Sequence, residues 1–226
     1  MYVASAEPRP GGLKQDAESR RRVPRLSTIM EPIILASASP RREEYLKLLG
    51  LPFTCMPSSV DESFDPQADH RAVAEELALR KVNSVLSALN KTPPWVCGAD
   101  TLISLEGAIY GKAPDRGTAA RMLRSFQGKT HDVISAVALF NGRAKTFDCR
   151  SVVSTVTFAP LSDVEIRWYL DTGEWQDAAG AYKIQGLASC FISSINGSYS
   201  SIVGLPLREF YGMLKDNGYP YGGCQS

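Results

Sequence analysis

Apolar and polar positions change period repeatedly along the chain. Residues 33–36 form a short continuous apolar run, the pattern of a buried strand. It breaks into Ser37-Ala38-Ser39-Pro40-Arg41-Arg42, after which a helical pattern covers 42–49 and stops at Gly50. A longer helix is predicted over 70–89, with Ala74, Leu77, Ala78, Val82, Val85 and Leu89 on one face. Lys81 falls inside that apolar stripe by angle, so it either snorkels to the surface or is held as a cation beside a cleft. Residues 95–99 read as a buried strand that ends abruptly in Asp100-Thr101, followed by a hairpin of 102–105 and 108–110 turning at Glu106-Gly107. Ala119, Met122, Leu123 and Phe126 mark a short amphipathic helix closed by Gly128. Residues 133–140 are strand, Asn141-Gly142 is a hairpin turn, and strand continues to Phe158. Ser162-Asp163-Val164-Glu165 fits a capping box that opens a helix to about Leu170. Two glycine-rich segments follow, 180–186 and an Asn196-Gly197 hairpin, before a last helix from Leu207 to about Lys215. Strands and helices interleave, which predicts an α/β or α+β arrangement around one mixed sheet.

Ahead of these elements the pattern lapses. Pro8, Pro10, Gly11, Gly12 and the run Arg20-Arg21-Arg22 carry no apolar periodicity, so residues 1–29 read as a disordered leader and 30–226 as a single domain. Glu7, Asp16 and Glu18 count against an organelle transit peptide. With 226 residues the chain is long enough for one well-filled core. A formal charge of +1 supplies no global field for nucleic acid or an anionic membrane, so any affinity for phosphate has to be local. No run is long enough to span a bilayer and no signal-peptide core follows Met1, so a soluble cytoplasmic protein is expected. Cys55, Cys97, Cys149, Cys190 and Cys224 are scattered without paired spacing and read as reduced thiols.

The most informative stretch for chemistry is the strand feeding Ser37-Ala38-Ser39-Pro40-Arg41-Arg42. Backbone N–H groups at a helix start lack internal partners, the dipole adds positive charge, and arginine forks match phosphate oxygens. The plainer alternative is that Ser39 is an N-cap, Pro40 the first helical residue, and both arginines are solvated. His70 and His131 are the only histidines, which argues against a multi-histidine metal centre. There is no phosphate-binding P-loop and no nucleophile elbow. A hydrolase triad of Ser39, His131 and Asp100 lacks any local signature, and His131 reads as structural. What remains is a set suited to phosphate chemistry: Arg41, Arg42, Glu62, Lys81, Asp100 and Lys112. Cations neutralise phosphate oxygens, and hard carboxylates hold Mg²⁺ or Mn²⁺ or orient a water, a combination that predicts metal-assisted hydrolysis of a nucleotide.

From residue 31 to 220 the chain resembles the Maf family of nucleoside triphosphate pyrophosphatases. The resemblance rests on Ser37-Ala38-Ser39-Pro40-Arg41-Arg42, Val60-Asp61-Glu62, Ala99-Asp100-Thr101, Gly111-Lys112, Gly128-Lys129-Thr130-His131 and Ala179-Gly180-Ala181-Tyr182-Lys183-Ile184-Gln185-Gly186, in that order and spacing. It implies an elongated, ITPase-like α/β fold with a mixed sheet, flanking helices and a deep cleft between two lobes. It also implies cleavage of a nucleoside triphosphate to monophosphate and pyrophosphate, as house-cleaning of the nucleotide pool. Carried over residue by residue, Asp100 would accept the proton of the attacking water. Glu62 and Asp100 would hold a divalent metal, Mg²⁺ or Mn²⁺. Ser39, Arg42, Lys81 and Lys112 would face the phosphates, and Arg41, Thr101 and Gln185 match specificity positions of the branch acting on dTTP and UTP. Gln185 would be a buried amide that pairs with a pyrimidine edge. Family members are often homodimers, and no nucleic-acid or membrane partner is implied. The chain departs from the family pattern at Ala38 and Lys183, where glycine is usual, at Ala113 in place of proline, and at Ala178 in place of lysine. The alternatives are an enzyme of the same fold acting on 7-methyl-GTP or another modified nucleotide, and a nucleotide-binding cell-division regulator without significant catalysis.

Overall fold

The computed structural model describes residues 30–65 and 68–221. The expected leader over 1–29 and Cys224 lie outside the described residues. The remaining four cysteines are free thiols, and no helix among the described residues is long and apolar enough to cross a membrane.

Seven strands make one mixed sheet: β1 (Ile33–Leu35), β2 (Phe53–Cys55), β3 (Trp95–Leu105), β4 (Ala108–Tyr110), β5 (Thr130–Asn141), β6 (Thr146–Phe158) and β7 (Ile192–Asn196), in the order β2-β1-β3-β5-β6-β7 with β4 also on β3. β1 runs parallel to β2 and β3, and all other pairs are antiparallel. Six α-helices accompany them: α1 (Pro40–Leu48), α2 (His70–Ala88), α3 (Arg116–Phe126), α4 (Asp163–Asp171), α5 (Tyr199–Val203) and α6 (Leu207–Asp216). A 3₁₀ turn, Leu187–Phe191, leads into β7.

Side chains of β3 and β5 alternate between the two faces and so sort the core. Trp95, Cys97 and Ala99 pack with Leu46, Phe210 and Met213 on one face, while Val96, Leu102, Ile134 and Ala136 pack under α2 on the other. Farther along the first face, Ile103, Val133 and Phe158 belong to a separate cluster with α3, α4 and the 3₁₀ turn. That face therefore carries two apolar centres along one long sheet.

Helix signals held where they were local. Gly50 ends α1 at φ +66°, α4 has its full capping box, and Glu106-Gly107 turns β3 into β4 with both residues at positive φ. Three expectations are corrected. Asp100-Thr101 does not end a strand, because β3 runs on unbroken to Leu105. Asn141 is not in the hairpin turn but is the last paired residue of β5, opposite Thr146, and its Oδ1 accepts from the N–H groups of Arg143 and Ala144 at 3.0 and 3.2 Å. Asn196-Gly197 turns β7 into α5, not into another strand. Gly197 sits at φ +114°, where a Cβ would stand 2.6 Å from Ser154 Oγ.

Candidate active site

A gap in strand pairing creates the site. β3 is eleven residues long and is paired along one edge by β5. On its other edge β1 pairs only with 95–97 and β4 only with 103–105. Among the described residues, 98–102 therefore have no paired strand on that side, and a cavity of about 860 Å³ occupies the break. Asp100 and Thr101 point to opposite faces of the sheet, as consecutive strand residues must, yet both line it.

On the α2 face, Lys81 is 8% exposed, and its Nζ donates to Asp100 Oδ1 at 2.5 Å and lies 2.8 Å from Glu62 Oε1. The lysine in the apolar stripe is thus a held cation; it does not snorkel. Helix α2 reaches this depth because it crosses β3 at Gly98, where a Cβ would stand 2.7 Å from the Ala78 carbonyl oxygen. Asp100 is buried and makes no other side-chain hydrogen bond among the described residues. Burial opposes ionisation of Glu62, but the Lys81 hydrogen bond and the charges of Lys81, Lys112 and Arg42 outweigh it and hold its carboxyl below the usual range.

Between β1 and α1 the chain folds around the Ser37 hydroxyl. Ser37 Oγ accepts from Ser39 N and from Arg42 Nη1, each at 3.1 Å. Ser39 is the N-cap residue of α1 and Pro40 its first residue, as the plainer alternative has it, but the Ser39 hydroxyl makes no capping bond. Neither arginine is merely solvated. Arg42 Nε donates to Gly204 O at 2.9 Å, and Arg41 reaches Val203 O and Asp177 O at 3.3 and 3.4 Å. Burial lowers the pKa of both guanidinium groups, while Asp100 and Glu62 support the charge of Arg42. Thr101, on the opposite face from Asp100, shares a 2.8 Å hydrogen bond with Ser135, whose hydroxyl also bonds to Ser201 O.

The far wall is the glycine-rich segment after α4. Lys112 bridges to Ala179, and Gly180 N donates to Gly111 O at 2.9 Å. Gly180 has φ +66° and sits where a Cβ would meet Ile103 Cδ1 at 2.6 Å, so a side chain there would push the segment off the core. Tyr182 plunges inward and shares a 2.8 Å hydrogen bond with His131 Nε2. His131 is 2% exposed among Phe126, Phe158 and Tyr182, and burial drives its pKa down to about 4. It bonds to neither Ser39 nor Asp100, which removes the hydrolase triad.

The order of motifs and this geometry fit one family, and a family model described as "Maf-like protein" matches residues 32–217. The chain belongs to the Maf family. Among curated Maf relatives, a protein of Desulforamulus reducens named dTTP/UTP pyrophosphatase is 44% identical over 82% of this chain and 96% of its own. One of the same name from Escherichia coli O157:H7 is 43% identical over 83% and 93%. A solved dITP/XTP pyrophosphatase structure from Mycobacterium abscessus aligns over 57% of this chain and 75% of its own at 15% identity and a TM-score of 0.38.

In this Maf chain Ser39, Arg41, Arg42, Glu62, Lys81, Asp100, Thr101, Lys112 and Gln185 all line the one cavity. Gln185 is exposed at its rim, which corrects the expectation of a buried amide. Position 185 follows buried Ile184 in a tight turn, and the turn geometry sends its side chain outward. Sequence reasoning passed over Ser37, the hub of the α1 entry. Its signal was a second hydroxyl two residues before the N-cap position.

Proposed function

We propose that this Maf protein hydrolyses dTTP and UTP between the α and β phosphates, releasing pyrophosphate, with Asp100 as the proton acceptor. The observation that carries the reading is the Lys81 ammonium, buried between the carboxylates of Glu62 and Asp100 in the cavity that Gln185 also lines. Relatives at 43–44% identity that carry the name dTTP/UTP pyrophosphatase support it. Lys81 fixes Asp100 through one oxygen, leaving the other to take a proton. The water oxygen would bond to the α-phosphorus, its proton would pass to Asp100, and the bond to the bridging oxygen would break with its electron pair leaving on pyrophosphate. Arg42, Lys81 and exposed Lys112 would bind phosphate oxygens and offset the charge of the departing group. No covalent intermediate is needed, since positioning and charge neutralisation suffice.

Glu62, whose second oxygen Lys81 leaves open, fits a divalent cation of the Mg²⁺ or Mn²⁺ kind with Asp100 beside it, since such an ion commonly takes one or two carboxylates and completes its shell with phosphate oxygens and water. Among the described residues no group of three or more carboxylate, imidazole or thiolate donors comes together. When bound, such an ion would neutralise phosphate charge and act as a Lewis acid. Thr101, Arg41 and Gln185 would read the base.

The test is pyrophosphate release from canonical and modified nucleoside triphosphates, with Mg²⁺, Mn²⁺ or chelator. Turnover of dTTP and UTP, with Gln185→Ala blunting the pyrimidine preference, is expected. Selective turnover of 7-methyl-GTP would assign another substrate, and silence across the panel would favour a regulatory role.

A further inference from the structure

Gln185 is presented by a turn that is held from outside the cavity. Gly186 N donates to Lys183 O at 3.0 Å, so Ile184 and Gln185 are the central residues of a β-turn, the first buried and the second exposed. The exposed amide makes no hydrogen bond among the described residues, so its direction depends on the backbone beneath it. Two contacts fix that backbone. Ahead of the turn, Lys183 N donates to the hydroxyl of fully buried Tyr169 at 3.2 Å. After it, the carboxylate of Glu174 accepts from Leu187 N at 3.0 Å and Ala188 N at 3.4 Å.

Glu174 is fitted to this task. A Cβ at Gly186 would stand 2.4 Å from both of its carboxylate oxygens, so the carboxylate approaches only because residue 186 has no side chain. Its own backbone is tied down, with Glu174 N donating to Thr172 Oγ1 at 3.1 Å and that hydroxyl donating to Tyr169 O at 2.6 Å. Burial first, and then the Glu174 charge, raise the pKa of the Tyr169 phenol, which places this carboxylate within electrostatic reach of the other contact as well. Glu174 does not line the cavity and forms no ion pair among the described residues. Its charge is directed at backbone amides, where charge-assisted bonds are strong.

We propose that Glu174 is a positioning residue for base selection, holding the turn so that the Gln185 amide meets the base in one orientation. This rests on reading the cavity as a nucleoside triphosphate pyrophosphatase site. It predicts that losing Glu174 weakens discrimination between bases while sparing the phosphate chemistry around Asp100.

The experiment measures kcat and KM for UTP and GTP on the wild type, Glu174→Ala, Glu174→Gln, Gln185→Ala and the Glu174→Ala/Gln185→Ala double variant. Equilibrium binding of UMP and GMP to the same proteins gives the base preference independently of turnover. Glu174→Ala is expected to reduce the ratio of kcat/KM between the preferred and rejected base about tenfold, chiefly through KM, with kcat for the preferred base within about threefold. Glu174→Gln keeps one acceptor but turns an amide donor toward a backbone donor. It should lose about threefold in the same direction, and it serves if the alanine variant does not fold. Because Glu174 acts through Gln185, the double variant should be no less selective than Gln185→Ala alone. The proposal is overturned if Glu174 variants keep the wild-type ratio within twofold in turnover and binding. It is also overturned if they lose kcat equally for both bases, or if the two substitutions multiply. A wild type that neither turns over nor discriminates any nucleotide defeats the underlying reading instead, and with it this one.

Discussion

The two ends of the cavity are held by different physics. At one end the acting side chains hold each other: Lys81 joins Asp100 and Glu62, and two of the three sit on regular elements, α2 and β3. At the other end the Gln185 side chain makes no hydrogen bond among the described residues, and what is held is the backbone on either side of it, by Tyr169, Glu174 and the uncharged cluster around Tyr182 and His131. Charge removal should therefore damage the first end directly, by leaving a partner uncompensated. The second should fail by geometry, with a loss of discrimination ahead of a loss of rate.

The largest effect is expected at Asp100. Asp100→Asn retains an oxygen that can accept from Lys81 but cannot take a proton, so kcat should fall on the order of 10²–10⁴-fold with little change in KM. Steady-state kinetics with UTP checks it, and a variant that keeps wild-type kcat would detach the charged end from the chemistry. Lys81→Met comes next. It preserves the stem within the apolar stripe but strips the buried Asp100 carboxylate of its cation, at a cost of about 3 kcal/mol, the low end for a broken buried pair because both groups line the cavity. Thermal unfolding should show a drop of roughly 6–12 °C. The base preference of any residual activity should be unchanged, which separates the two ends.

How much of this was legible in the sequence follows the same division. Helices α1, α2 and α4 could be read because caps, breakers and period are local, and the reactive residues could be read because hydroxyl, cationic and acidic types at element ends are unusual together. In the sequence Asp100-Thr101 looks like a strand end because polar residues in an apolar run resemble a boundary. Only the change of neighbour from β1 to β4 shows why a continuous strand carries them. β2 and β7 left little signal, since their exposed residues lack apolar alternation. Glu174, following Gly173, looks like an ordinary loop acid until Gly186 is seen folded against it. Supports that act through backbone amides leave no composition to read.

Acid is the third way to separate the ends. His131 is buried neutral, with its pKa lowered from 6.5 to about 4. Between those values the unfolded chain binds a proton that the native state refuses, so stability is full above about pH 6.5 and declines as pH falls toward 4, by up to roughly 3 kcal/mol. Denaturant unfolding across that range should show the slope. His131→Phe, which keeps an apolar ring in the aromatic cluster, should flatten it while lowering stability at pH 7 through the lost Tyr182 bond.

The smallest effect is expected from Ser162→Ala, and it is the most discriminating. Ser162 Oγ accepts from Glu165 N at 3.3 Å and Ser162 N donates to Glu165 Oε2 at 2.8 Å, the box that starts α4. The same helix carries Tyr169 near its other end. Losing the cap should cost about 1 kcal/mol, a fall in Tm of roughly 2–4 °C for a chain of this size. Tyr169 is fixed by its burial in the α3–α4 core and not by the first turn, so base preference should stay at the wild-type value. If preference instead falls in step with Tm, the turn responds to any loosening of α4, and the Glu174 staple is one prop among several. If preference holds while Tm drops, discrimination depends on the contacts flanking Gln185, and the second end of the cavity is as locally determined as the first.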